Sequence, residues 1–397
     1  MPLMKVLHVI PSISDQAGGP SQAILPMCRA LRDQGIDLLL ATTDDGSPTE
    51  KGTATLQYGR ISDYKGQPTI FFPSQIGASF KYSRPFAQWL NSNVANYDLV
   101  HIHAVFNHAC IAAARACRRH GVPYIVRPLG SLDPWGMKQK SWRKKIFWHG
   151  GIKQLLRAAA AVHYTARAEQ EATEQSLGLN HGVVVPLGVE TEQRREPAPP
   201  ESFLKKDSLR GAQPYVLVLS RLLPTKGLDV FLEAFLSVRN QKQLENWSLV
   251  LAGEGSVEFV GRLKQMAAAA SASKHVLFPG WLEGDNKRAA LQHASLLALP
   301  SYHENFGLCV LEALACGVPV LVSPQVNLAS EVEAARAGWV AAVDKNSLAS
   351  ALVSALSSEE ERLLRGEAGR TLSNAFSWPA IAGMLSDVYS EVLGSKN

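Results

Sequence analysis

The sequence predicts an α/β protein built from two parallel-sheet domains, and three observations predict it. Short β-rich runs alternate with helical patterns along the whole chain, as in sheets covered by helices on both faces. A charged, proline-rich stretch, Gln193-Arg194-Arg195-Glu196-Pro197-Ala198-Pro199-Pro200, reads as a linker that divides the series. The length, 397 residues, favours two domains over one.

Taken in order, the first series offers strands at 5–10, 36–41, 69–72, 99–103, 123–126, 160–164 and 183–186. Helical patterns lie between them at 21–34, 109–120 and 167–177. Beyond the linker, strands are expected at 215–220, 248–252, 275–278, 296–299 and 318–322, with a helix over 228–240. The last segment, 378–393, is helical after Ser377-Trp378-Pro379 and is expected to return to the first half. The expected division is 1–195 plus 378–397 against 196–377, two similar halves meeting across a cleft. Such sheets bind ligands at the carboxyl ends of their strands, so motifs placed there carry the functional argument.

Composition narrows the classes. With 46% hydrophobic and 19% charged residues the chain is an ordinary globular one. Its five cysteines, Cys28, Cys110, Cys117, Cys309 and Cys316, show no C-x-x-C spacing, which indicates neither a zinc knuckle nor a disulfide framework. A cytoplasmic setting is expected: the apolar run 6–10 is too short for a signal peptide, and no stretch approaches a membrane span. The formal charge of +5 is unevenly placed. Lys138, Lys140, Arg143, Lys144, Lys145 and Lys153 interleave with Trp135, Trp142, Phe147 and Trp148, so residues 135–153 suit peripheral contact with an anionic membrane at its inner face. A nucleic-acid patch, or a helix with its aromatics packed inward, would have the same composition. No zinc-finger or RNA-binding signature supports nucleic acid, and none is expected as a partner.

The most informative segment runs Ser301-Tyr302-His303-Glu304-Asn305-Phe306-Gly307-Leu308-Cys309-Val310-Leu311-Glu312. It follows a buried-strand pattern at 296–300 and opens a helical one that closes at Gly317 and Pro319, which puts a helix N-terminus at 305–308. Unpaired backbone N–H groups there favour an anion, while Glu304 before the helix and Glu312 on its second turn would accept bonds from hydroxyls on either side. A nucleotide sugar presents its groups in that order: hexose, diphosphate, ribose. Two solvated surface glutamates would give the same E-x7-E pattern.

Other strand ends add to this. Ser14-Asp15-Gln16-Ala17-Gly18-Gly19-Pro20-Ser21 is a glycine loop opening onto a helix, allowing close backbone approach to a phosphate or sugar. It departs from G-x-G-x-x-G, which weakens a dehydrogenase reading. In Ser220-Arg221-Leu222-Leu223-Pro224-Thr225-Lys226-Gly227, Arg221 and Lys226 could aim at one diphosphate, the first as a fork and the second as a point charge. Val250-Leu251-Ala252-Gly253-Glu254-Gly255 is another tight strand-end loop, and after Phe278-Pro279-Gly280 the backbone of Trp281 and Leu282 could bond a base edge. His101 and His103 share a strand face and could form half a metal site, but no nearby ligand pair completes one in the sequence. A buried, hydrogen-bonded histidine is the plainer alternative.

Together these strand ends resemble the group-1 (family 4) retaining glycosyltransferases of the two-Rossmann GT-B fold, over nearly the whole chain and most specifically in its second half. The resemblance implies an acceptor-side Rossmann-like domain in the first half and a donor-binding one in the second. It implies that Arg221 and Lys226 hold the donor diphosphate and that Glu304 binds the hydroxyls of the transferred sugar. Asn305, Phe306, Gly307 and Leu308 would lie along the donor, with backbone contacts from the last three, and Glu312 would bind the ribose. Gly253, Trp281 and Leu282 complete the expected donor side. In the first half Gly18-Gly19 matches the family's loop near the diphosphate, and the strand Asp98-Leu99-Val100-His101-Ile102-His103 would put His103 beside the reacting sugar. Two departures touch the acceptor side. Leu187-Gly188-Val189-Glu190 stands where relatives read N-G-V-D, and Arg127 lies in a segment lacking the family's histidine, where it would face an anionic acceptor or pair internally.

The implied activity is retaining, metal-independent hexosyl transfer, with no cofactor and with the nucleotide sugar as substrate. Glucose from UDP-glucose is the expected donor group and a saccharide or lipid-linked saccharide the expected acceptor, in surface or exopolysaccharide biosynthesis. No two carboxylates are identifiable on opposite faces of one sugar, as double displacement requires. An epimerase or phosphorylase on the same fold, or a binding module without turnover, are the alternatives.

Overall fold

The computed structural model describes residues 3–14, 19–44, 57–75, 80–132, 137, 148–191, 214–239, 241 and 244–395. The chain forms two compact units, Met1–Gly188 with Trp378–Asn397, and Val189–Ser377. The expected linker, 193–200, lies outside the described residues.

The first unit holds β1 (Lys5–Val9), β2 (Asp37–Thr43), β3 (Ile61–Tyr64), β4 (Gln67–Phe72), β5 (Leu99–His103), β6 (Tyr124–Arg127), β7 (Ala161–Tyr164) and β8 (Gly182–Val184). They form one sheet in the order β3-β4-β2-β1-β5-β6-β7-β8. Every neighbour pair is parallel except the β3–β4 hairpin. The order in which the chain adds strands reverses between β1 and β5, the doubly wound arrangement.

Both faces of the sheet's central strands are buried. One face, with Leu7, Val9, Val100, Ile102 and Val126, packs on Phe86, Leu90, Ala113 and Leu156 from the helices beyond. Each large apolar side chain so buried contributes about 1.5–3 kcal/mol. The other face carries His8, His101, His103, Arg127 and His163, all buried. Register dictates this gathering: β1 sets His8 against His101 and β5 sets His103 against Arg127. The helix Trp378–Gly394 belongs to this unit. Trp378 lies so close over Gly188 that a Cβ there would come within 2.3 Å of the indole, and Tyr389 is fully buried.

The second unit contains β9 (Tyr215–Leu219), β10 (Ser248–Ala252), β11 (Val276–Gly280), β12 (Leu296–Leu299), β13 (Val320–Val322) and β14 (Gly338–Val340). Its sheet is wholly parallel, in the order β11-β10-β9-β12-β13-β14, and reverses between β9 and β12. Two strands were not expected. β3 is polar and mostly exposed, and β14 has only three residues, so neither carries an apolar run.

Candidate functional site

The second unit's reversal point fixes where its charged groups meet. After β9 the chain passes Ser220 and the exposed Arg221, then turns through Pro224–Lys226 onto Gly227. Gly227 has φ +64°, and a Cβ there would lie 2.2 Å from the Pro300 carbonyl oxygen, so this turn sits directly on the end of β12. The Tyr302 N–H donates to the Thr225 carbonyl at 3.0 Å and joins the two strand-end loops. Lys226 Nζ, thus placed, forms an ion pair with Glu304.

Glu304 is held from its other side as well. Its N–H donates to the Gln325 carbonyl at 3.2 Å and its carbonyl accepts from Asn327 N–H at 3.4 Å. Asn327 Nδ2 also donates to the Asn305 carbonyl at 2.7 Å. Phe306 is buried and meets Phe376 edge to face. Gly307, at φ +83°, precedes the helix Leu308–Ala315 and offers no capping side chain, so the helix terminus keeps its positive character for a ligand. Leu308 is half-buried at its first position.

One turn into that helix, Glu312 is paired with Lys287 at 2.7 Å. Both ion pairs are partly screened from solvent, with side-chain exposures of 12% and 21% for Lys226 and Glu304, and 19% and 16% for Lys287 and Glu312. Cys309 senses all four charges. Burial pushes its thiol up to about 12, Glu304 and Glu312 push the same way, and Lys226 and Lys287 oppose them.

Two more strand ends border this place. Gly253, after β10, has φ +139°, and a Cβ there would lie 1.9 Å from the Ser220 carbonyl oxygen. Its N–H donates to the Gly280 carbonyl at 2.7 Å, tying β10 to β11. After β11, Leu282 is buried, and Trp281 is half-buried with an indole Nε1 that has no hydrogen-bond partner. Chemically, Arg221, Lys226 and an uncapped helix terminus suit a phosphate-bearing group, while Glu304 and Glu312 suit hydroxyls.

In the first unit, Gly18 lies outside the described residues, and Gly19 begins the helix Gly19–Asp33 with open space around it. His103 is buried at the end of β5, its Nε2 3.0 Å from His8 Nδ1. Arg127 is 1% exposed; the Glu169 carboxylate acts on it as an opposing charge, and its Nε and Nη2 have no hydrogen-bond partner. The sequence expectation that nothing completes the His101–His103 pair is corrected here: His8 brings a third ring nitrogen, all three lying within 4.8 Å. Sequence separation hid it, because only strand register makes His8 and His101 neighbours. The His101 and His103 rings stack at 4.3 Å and the His8 and His103 rings at 5.1 Å, with His8 Nδ1 and His103 Nε2 also in hydrogen-bond contact.

Sequence reasoning also passed over Lys287, His163 and Tyr389. A lysine following the Trp281-Leu282 strand end was the available signal for the first; the other two carried none.

Known proteins resemble this chain over nearly its whole length. Residues 201–372 match the family described as "Glycosyl transferases group 1", and residues 18–188 match the "Glycosyl transferase 4-like domain". The chain is 30% identical over 214 residues to a GDP-mannose-dependent alpha-(1-6)-phosphatidylinositol monomannoside mannosyltransferase of Mycobacterium tuberculosis, a match to 51% of this chain and 54% of that one. The chain thus spans about half the length of that relative. It is 26% identical over 391 residues to D-inositol 3-phosphate glycosyltransferase 2 of Catenulispora acidiphila, covering 94% of this chain and 90% of the relative. Among solved structures, sucrose-phosphate synthase from Thermosynechococcus elongatus superposes with a TM-score of 0.75 at 20% identity, over 99% and 100% of the two chains. Anabaena HepE in complex with UDP and glucose gives 0.74 at 20% identity, over 98% and 100%. Among the described residues, no helix is long and apolar enough to cross a membrane.

Proposed function

This chain belongs to the group 1 glycosyl transferases of GT-B fold, and we propose that it moves a hexose from a nucleotide diphosphate sugar to a saccharide or lipid-linked saccharide, with retention at the anomeric carbon. The observation that carries this reading is the convergence of Lys226 and Glu304 beside the uncapped terminus of Leu308–Ala315, at the point where the sheet order reverses.

Breaking the bond from sugar to phosphate builds negative charge on the diphosphate and positive character on the ring. Arg221, Lys226 and the helix terminus at Gly307 supply donors for the first. One such aligned donor is worth about 3 kcal/mol, roughly a hundredfold in rate. Lys226 is neutralised by Glu304 in the free protein, so an entering diphosphate takes over the lysine and frees the carboxylate for the sugar's hydroxyls. Glu312, already held by Lys287, presents a fixed acceptor to the ribose. The nucleobase lies by Trp281 and Leu282, and Gly253 allows its own strand end to approach. With these cations on the diphosphate, the reaction needs no catalytic metal. The leaving phosphate oxygen takes the proton of the incoming hydroxyl, which gives front-face transfer. We assign His103 to substrate contact, whereas Arg127, 1% exposed and with the Glu169 carboxylate as an opposing charge, is not assigned to the acceptor.

The donor we propose is UDP-glucose and the setting surface polysaccharide synthesis. GDP-mannose is the second reading, favoured by the mycobacterial relative's name. A panel of UDP-glucose, UDP-galactose, UDP-N-acetylglucosamine and GDP-mannose, read by thermal shift and product mass spectrometry, separates them. Stabilisation by UDP compounds with hexose transfer is expected; consumption of no donor across an acceptor panel would reject the enzyme reading. Anomeric NMR of the product should show retention. Peripheral membrane contact through 135–153, a stretch mostly outside the described residues, predicts that Lys144→Ala with Lys145→Ala weakens binding to anionic liposomes.

A further inference from the structure

On the buried face of the first unit's sheet, five hydrogen bonds run through four imidazoles and one phenol, and Cys28 Sγ lies 3.8 Å from His8 Nδ1 as a further donor to that nitrogen. His163 Nε2 lies 2.7 Å from the Val185 carbonyl oxygen, and His163 Nδ1 lies 3.2 Å from His101 Nε2. His101 Nδ1 lies 2.7 Å from Tyr389 Oη, which lies 3.2 Å from His8 Nε2. His8 Nδ1 in turn lies 3.0 Å from His103 Nε2. His103 Nδ1, at the far end, is buried and has no partner.

The direction of this chain follows from its first link. A carbonyl only accepts, so His163 Nε2 carries the hydrogen, and in a neutral ring its Nδ1 is then the acceptor. His101 must donate from Nε2 and accept at Nδ1. Tyr389 therefore donates to His101 and accepts from His8 Nε2. His8 Nδ1 accepts from His103 Nε2–H, and His103 Nδ1 is left with a bare lone pair. Four neutral imidazoles and one phenol bring five hydrogens to five bonds. Reversing the chain would turn a lone pair of His163 onto the Val185 oxygen, leaving two acceptors face to face in a buried place. Burial and the Arg127 guanidinium hold His8 and His163 down to about 3 and keep His101 and His103 well below the usual imidazole range, so each ring is neutral.

We propose that Tyr389, delivered by the last helix, is a positioning residue that relays this polarity across the sheet and holds His103 with Nδ1 unprotonated, as an acceptor for a substrate hydroxyl. The polarity stands on hydrogen-bond counting alone; the hydroxyl rests on the glycosyl-transfer reading above. His103 Nδ1 so set would receive an O–H and turn away a group that only accepts.

Histidine nitrogen NMR on the unliganded full chain tests the polarity without any substrate. In the wild-type protein, His103, His101 and His163 should all carry their proton on Nε2 at neutral pH, and zinc should leave their signals unmoved. A proton on His103 Nδ1, or zinc-induced shifts of His8, His101 and His103, would overturn the proposal without the need for any variant. Tyr389→Phe cuts the chain after His101. His101 and His163, still anchored on Val185, should keep their tautomers, whereas His8 and His103 should change or become mixed. Unchanged His8 and His103 signals would refute the relay, and general loss of packing would not spare the anchored pair. With whichever donor the panel above shows to be consumed, Tyr389→Phe should lower kcat about ten- to hundredfold with donor KM nearly constant. An unaltered kcat would remove the hydroxyl role. Absence of transfer from every donor would instead sink the functional reading and leave the tautomer result standing.

Discussion

Lys226 and Glu304 neutralise one another across 78 residues of chain, and that pairing makes opposite predictions for binding and for rate. Glu304→Gln removes the carboxylate that competes for the lysine. Affinity for the free nucleoside diphosphate should rise, by up to roughly fivefold if the pair is worth about 1 kcal/mol, while transfer falls about a hundredfold. Calorimetry beside turnover measurements checks both, and a parallel fall in affinity would argue against competition for Lys226. Lys226→Ala should lose affinity and rate together. At this scale the sequence named both partners, because each follows a recognisable strand end. It could not show that they touch, nor that Lys287 occupies Glu312, since those contacts depend on how strand-end turns and two helices pack over the end of a sheet.

The strand-end loops are the elements on which the site rests, and Gly253 is where their closeness is most demanding. A side chain there would meet the Ser220 carbonyl at 1.9 Å with φ at +139°, so Gly253→Ala must move β10 away from β9 or strain the turn. We expect a loss of about 2–3 kcal/mol, seen as a melting temperature lower by roughly 5–10 °C. Gly261→Ala, in open space on the helix Val257–Ala269, should be neutral or slightly stabilising and serves as the control. Apolar runs between turn residues made most strands legible, together with the helix Leu308–Ala315 and its glycine start. β3, which reads Ile61-Ser62-Asp63-Tyr64 and is largely exposed, and the three-residue β14 escaped because edge strands bury too little to leave a pattern.

Across the whole molecule, the last helix closes the first unit by resting Trp378 on Gly188 and sinking Tyr389 among buried histidines. This carries a pH cost with a definite sign. His8 and His163 stay neutral in the folded chain down to about pH 3, whereas unfolded histidines take up protons below about 6.5. The unfolded state then binds more protons, so stability is complete above about pH 6.5 and declines as pH falls below it. Each such histidine contributes a slope of about 1.4 kcal/mol per pH unit, and several acting together reach the scale of a domain's stability near pH 5. Melting temperature should therefore drop steeply between pH 7 and 5; a flat profile over that range would contradict the neutral cluster.

The amino-acid sequence alone determined the two-sheet architecture, the return of the final helix and the identity of the charged strand-end residues, because periodicity and turn chemistry are local properties of a chain. Tertiary structure alone decided which of those charges neutralise one another and that His8, His101, His103, His163 and Tyr389 form one hydrogen-bonded line. Register between parallel strands and the docking of a helix 288 residues away from His101 set those distances, and no window of sequence contains them.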